Sequence, residues 1–168
     1  MPPLIAFIGW HDSGKTTLAR QVVMHLRNKG HAVAVIKSTK ERGIVCDRPH
    51  SDTFRYKEAG AVGVALLAPD QLVVQSEPPS CDLPELANRL FPDADIVLVE
   101  GCKHAEILKI EVRRDGNAPL LRDQVTGVIA VAADPPLTGD NCFSLDQSRE
   151  IAELIENRLL VSHTAKGA

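Results

Sequence analysis

Leu4-Ile5-Ala6-Phe7-Ile8-Gly9-Trp10-His11-Asp12-Ser13-Gly14-Lys15-Thr16 lies at the start of the chain and sets its architecture. Five apolar residues in succession read as a strand buried on both faces, as in a parallel sheet. From Gly9 onward the residues match G-x-x-x-x-G-K-[ST] at every fixed position. Glycines at 9 and 14 let successive backbone N–H groups turn inward and form an anion nest. A helix begins at the same point, so its dipole favours bound phosphate. Lys15 is expected to reach the β- and γ-phosphates of a nucleoside triphosphate. The Thr16 hydroxyl is expected to coordinate Mg²⁺, a hard ion that prefers oxygen ligands. Trp10, His11, Asp12 and Ser13 fill the free positions, and Thr17 completes the expected binding segment.

Working outward, apolar positions Leu18, Val22, Val23 and Leu26 give helical spacing over Thr17–Asn28, and Gly30 stops the helix. Ala32–Ile36 reads as a second buried strand, completing a βαβ unit. Residues 37–48 are polar and charged and form a long loop. Ser51 caps a helix running to about Ala59. Val62–Leu67 and Gln71–Gln75 are short strands split by a turn. Leu83–Leu90 is a short helix, and Asp95–Gly101 a buried strand with acids at both ends. Ile107–Val112 alternates Lys109 and Glu111 with Ile110 and Val112, which reads as an edge strand. Gly127–Ala132 is the last buried strand and Ser148–Leu160 the last helix. The expected fold is α/β: a phosphate-loop NTPase type, mainly parallel sheet with helices on both faces and an edge hairpin. A single nucleotide-binding domain is expected over 1–161, with a frayed tail at 162–168.

The chain has 168 residues, 44% hydrophobic and 24% charged, with a formal charge of −3. This composition excludes a disordered polar chain and gives no reason to expect a nucleic-acid binder. No apolar run approaches the roughly 18 residues of a membrane span. Cys46, Cys81, Cys102 and Cys142 form no CxxC pair, so a reduced, cytoplasmic chain is expected.

A phosphate loop needs a carboxylate to hold magnesium or its waters. Glu100, at the carboxyl end of its strand, is the best placed. Asp95 opens that strand and is read as a surface acid at the far end of the sheet. Asp47 and Asp52 lie in or after the long loop. Each reads equally as a metal partner or a solvated acid.

With these residues in view, the chain resembles the MobB family of molybdopterin-guanine dinucleotide biosynthesis adaptors. Val99-Glu100-Gly101-Cys102-Lys103-His104 is similar to the family's Val-Glu-Gly-Phe-Lys-His block. Leu108-Lys109-Ile110-Glu111-Val112-Arg113-Arg114 is similar to its Pro-Lys-Ile-Glu-Val-x-Arg. The segment Asp47 to Ala61 is similar to the family's Asp-Ser, arginine and Lys-Ala-Gly-Ala region. The resemblance spans the first strand to Asp134. The chain departs from the family in three places. Lys37-Ser38-Thr39-Lys40-Glu41-Arg42 stands where many members have a histidine-rich run, His50-Ser51 stands for Gly-Lys, and Cys102 for an aromatic residue.

The resemblance implies a dimeric, weakly hydrolysing GTP- and Mg²⁺-binding protein. Its partner would be a MobA-like nucleotidyltransferase that joins GMP to molybdopterin. Lys103 would bind phosphate or the anionic pterin, and His104 would orient water or report the nucleotide state. Arg55 and Lys57 would contact the pterin phosphate or a partner. Asp134, after the last buried strand, can accept the N1–H and N2–H of guanine; an ordinary turn aspartate is the alternative. Two other readings share the same loop: a small phosphotransferase acting on a metabolite, and a non-hydrolysing nucleotide-binding module.

Overall fold

In the computed structural model, which describes residues 1–114, 116 and 118–161, six strands form one sheet in which every neighbouring pair is parallel. The expected tail, 162–168, lies outside the described residues. The strands are β1 (Leu4–Ile8), β2 (Val33–Lys37), β5 (Ile96–Glu100), β6 (Leu108–Arg113), β7 (Val128–Ala133) and β8 (Cys142–Ser144). Their spatial order is β2-β5-β1-β6-β7-β8. Two further strands, β3 (Gly63–Leu67) and β4 (Leu72–Ser76), pair antiparallel as a separate hairpin sheet. The helices are α1 (Lys15–Asn28), α2 (Asp52–Glu58), α3 (Leu83–Leu90) and α4 (Ser148–Ile155), the last continuing as a π-helical stretch, Glu156–Leu160.

The period-2 alternation of the strands builds two cores. Ile5, Phe7, Ile96, Leu98, Ile110 and Val112 face α1 and α4, packing on Leu18, Val22, Leu26, Ile151 and Ile155. Leu4, Ala6, Ile8, Val97 and Val99 face the opposite way, onto Ala87 of α3 and Leu121 of a 3₁₀ turn. Helices therefore cover both faces, as expected for an α/β fold. Each fully buried Leu or Ile in these layers contributes about 1.5–3 kcal/mol relative to exposure.

Contacts divide the chain into two units, Met1–Thr39 with Asp82–Ala168, and Lys40–Cys81. The sequence reads as one domain over 1–161 because no linker separates the two. Within Lys40–Cys81 no residue is buried, so this unit has no apolar core of its own. Its hairpin exposes Leu66, Leu67, Leu72 and Val74.

Two sequence expectations are corrected. Ile107–Val112 is not an edge strand: β6 lies between β1 and β7, and Lys109, Glu111 and Arg113 are buried. Alternating charge reads as solvent exposure, whereas here each charged group finds backbone partners inside the protein. Parallel strands also usually need a dozen-residue crossover, and seven residues join β5 to β6 across β1. Residues 101–107 suffice because Glu100 is level with Phe7 and Leu108 with Ile5, only two positions back along β1. Conversely, the apolar run Ala32–Ile36 is not buried on both faces. It is the edge strand β2, and Val35 is exposed.

α1 and the C-terminal helix are also joined by charge. Glu156 accepts from Lys29 Nζ and lies 2.9 Å from His31 Nε2. The hydrogen bond from His31, then that from Lys29, holds the Glu156 carboxyl below the usual range. A carboxyl lowered on folding stabilises the protein above its unfolded pKa, and that stability disappears as pH falls through the folded value. Glu156→Gln is expected to lower the melting temperature by about one to three degrees at pH 7. The difference should vanish once acid has protonated the wild-type carboxylate, which melts at stepped pH would show.

Candidate functional site

The loop between β1 and α1 sits at the carboxyl edge of the sheet, flanked by the ends of β5 and β6. A methyl group on Gly9 would lie 2.2 Å from the Val112 carbonyl oxygen and 2.5 Å from Ser13 Oγ. Only glycine allows β6 to approach so closely while Ser13 stays buried beneath the loop. Gly14 has φ +94°, in the left-handed region that favours glycine, and it serves as the N-cap of α1. No side chain caps that helix and its first turn holds no acid. The leading N–H groups are therefore available to an anion.

Lys15 Nζ donates to Gly9 O at 3.1 Å, Trp10 O at 2.6 Å and Ser13 Oγ at 3.3 Å. Burial pushes the ammonium pKa down, against the opposing pull of Glu100 and Asp12. Glu100 ends β5 in register with Phe7 of β1 on one side and Lys37 of β2 on the other. Its Oε1 accepts from Thr16 Oγ1 at 2.8 Å and lies 3.3 Å from Lys37 Nζ. A hydroxyl and a carboxylate in contact form a pair of hard oxygen donors, which suits Mg²⁺. That ion takes one or two protein oxygens and completes its shell with water and phosphate. Among the described residues no cluster of three His, Cys, Asp or Glu gathers into a metal cage.

Lys103, just beyond Glu100, places its ammonium 5.2 Å from the centroid of the Trp10 ring. The Trp10 indole N–H donates to Pro119 O at 3.1 Å. Trp10 thus ties the phosphate loop to the segment after β6, and Lys103 lies over it. His11 and Asp12 pair at 3.3 Å at the exposed loop tip, and Thr17 and His104 are exposed. Asp134 follows β7, its backbone N–H donating to Arg113 O at 3.1 Å, so it shares the carboxyl edge of the sheet.

Asp95 stands at the other end, accepting from Ala32 N at 2.7 Å and tying β2 to β5. Asp47 belongs to the second unit, where it accepts from the Thr53 hydroxyl and from Arg48 N. The Thr53 hydrogen bond, then that of Ser51, keeps its carboxyl below the usual range. In the same unit Arg55 pairs with Asp52 and Lys57 donates to Gln75 Oε1.

The sequence reading gave no role to two basic residues at this edge. Lys37, read only as the first residue of a polar loop, is the residue that completes the Glu100 cluster. Arg114 lies against the phosphate loop: a methyl on Gly14 would sit 3.3 Å from its Nε and 3.5 Å from its Nη2. Lys37 ends the edge strand β2 and Arg114 follows β6, the strands that flank the β5–β1 pair, where an open α/β sheet binds its ligands. That position was the available signal.

The family model described as molybdopterin guanine dinucleotide synthesis protein B matches residues 4–134. The molybdopterin-guanine dinucleotide biosynthesis adapter protein of Escherichia coli K12 is 36% identical over 146 residues, covering 83% of each chain. The adapter of the same name from Haemophilus influenzae is 34% identical, covering 98% of this chain and 93% of its own. A crystal structure of molybdopterin-guanine biosynthesis protein B superposes with a TM-score of 0.72 at 27% identity, over 93% of this chain and 99% of that one. Bacillus subtilis MobB, at 20% identity and a TM-score of 0.73, shares the fold over 94% of this chain and 98% of its own. Sequence, topology and the match over the whole phosphate-loop region agree, and the chain belongs to the MobB family.

Proposed function

We propose that the protein binds Mg·GTP in the Gly9–Thr17 loop and acts as an adapter in molybdopterin guanine dinucleotide synthesis. In that role it assists a MobA-like nucleotidyltransferase that attaches GMP to molybdopterin. The observation that carries this reading is the 2.8 Å contact between Thr16 and Glu100, which sets two magnesium-type oxygens beside an uncapped helix start.

On this reading Lys15 exchanges its three acceptors on the loop for phosphate oxygens, and the loop N–H groups hold the β-phosphate. Thr16 and Glu100 would hold Mg²⁺, which would neutralise phosphate charge. Lys37, 3.3 Å from the Glu100 carboxylate, adds a cation to the same cluster. Asp134 takes the N1–H and N2–H of guanine, a donor pair that adenine lacks in that arrangement. Lys103 offers a cation to the γ-phosphate or to an anionic pterin. Neither 9–17 nor 101–107 contains a glutamine to orient water, so hydrolysis is slow and nucleotide occupancy, rather than turnover, carries the signal. The protein works as a homodimer.

The test is calorimetric titration of the purified protein with GTP and ATP, each with and without Mg²⁺. Magnesium-dependent binding that prefers GTP is the expected result. A preference for ATP would favour the phosphotransferase reading, and absence of binding to either would sink the nucleotide assignment.

A further inference from the structure

The phosphate loop holds more positive charge than its sequence motif accounts for. Besides Lys15 and the start of α1, the Arg114 guanidinium packs against Gly14, within 3.3–3.5 Å of where a methyl group on that residue would stand. Among the described residues no carboxylate pairs with Arg114. An arginine packed on the N-cap residue of a helix faces the positive end of its dipole, an arrangement that an anion relieves. Arg114 is exposed, but the backbone that carries it is held. Arg114 follows directly on β6, whose last residue, Arg113, is buried and donates to Gly116 O at 3.1 Å and Ala118 O at 3.0 Å. The backbone bearing Arg114 is thus pinned at the sheet edge.

We propose that Arg114 is a second cation for the polyphosphate of the bound nucleotide, donating to a non-bridging phosphate oxygen from the Gly14 side of the loop. This inference rests on the nucleotide reading above and adds to it a named residue from outside the loop motif. The planar guanidinium fork suits a phosphate better than a lysine point charge does. Phosphate, rather than the purine, is the assigned contact because the guanidinium packs on Gly14, the N-cap of α1.

The experiment compares wild type, Arg114→Ala and Arg114→Lys by calorimetric titration with pyrophosphate, GDP and GTP in the presence of Mg²⁺, with thermal melts in parallel. Arg114→Ala is expected to weaken all three ligands by about ten- to a hundredfold, the range for a charged hydrogen bond. The melting temperature should hold, and Arg114→Lys should fall between the other two. Equal binding by wild type and Arg114→Ala would overturn this inference alone. So would a loss for GTP and GDP with pyrophosphate unchanged, since the guanidinium would then act on the nucleoside. A wild type that binds none of the three would overturn the nucleotide reading, and this inference with it.

Discussion

Glu111→Ala is expected to destabilise the protein by about 3 kcal/mol or more, the cost of leaving two buried N–H groups unpaired and opening a cavity. For a chain of this size that lowers the melting temperature by roughly six to twelve degrees. Glu111 is 1% exposed in the middle of the sheet. One carboxylate oxygen accepts from Leu121 N at 2.9 Å, the other from Arg122 N at 2.9 Å. Neither amide gains another acceptor when the side chain is cut back. Glu111→Gln keeps one acceptor and turns an N–H₂ toward the second amide, so its loss should be smaller but clear. Thermal or urea unfolding measures both. A Glu111→Ala variant within a degree of wild type would mean that the carboxylate is not the anchor of this segment.

Glu111 does not act alone. Lys109 Nζ donates to Ile107 O at 2.8 Å and Thr126 O at 2.9 Å, and burial pushes its ammonium pKa down. Lys109, Glu111 and Arg113 alternate with Ile110 and Val112, so the charged row and the apolar row lie on opposite faces of one strand. The charged row holds the connection from β6 to β7 by its backbone. That connection in turn receives the Trp10 indole through Pro119. Loosening the anchor is therefore expected to reach the phosphate loop, and hydrogen exchange at residues 9–14 of Glu111→Ala would register it.

This row also explains where the sequence was legible and where it was not. Continuous apolar runs such as Leu4–Ile8 and Ile96–Val99 announce buried parallel strands, because only a sheet covered on both faces calls for them. Lys109-Ile110-Glu111-Val112-Arg113 has the period of a half-exposed strand, and periodicity cannot tell water from backbone carbonyls as the partner of a charge. The three residues of β8 are too few to carry a pattern. For the site, residues next to each other in sequence were readable, since the phosphate loop is a local motif. Glu100 was readable as the carboxylate ending the buried strand. Lys37 and Arg114 were not, because their roles come from strand order. β2 reaches Glu100 by pairing with β5, and β6 reaches Gly14 by pairing with β1. No spacing along the chain encodes those neighbours.

Lys15→Ala is expected to have the largest effect on function, with Mg·GTP affinity falling at least about a hundredfold. The reasoning starts from what surrounds the ammonium. Its three contacts are two backbone carbonyls and one hydroxyl, all on its own loop. Burial already disfavours its charge. Glu100 and Asp12 offset that cost only in part, and a polyphosphate supplies counter-charge at contact distance. Charge-assisted contacts of this kind contribute about 1.5–3 kcal/mol each, and Lys15 can reach two phosphates. The fold should hardly notice the loss, because none of those three contacts joins the loop to a distant element. Gly9 and Gly14 keep the loop's backbone path, and Leu18, Val22 and Leu26 keep α1 on the sheet. Calorimetry with Mg·GTP and a thermal melt on the same preparation separate the two effects. Lost binding with an unchanged melting temperature places the lysine on the ligand. Unchanged binding would remove the phosphate loop from the function, whatever its shape.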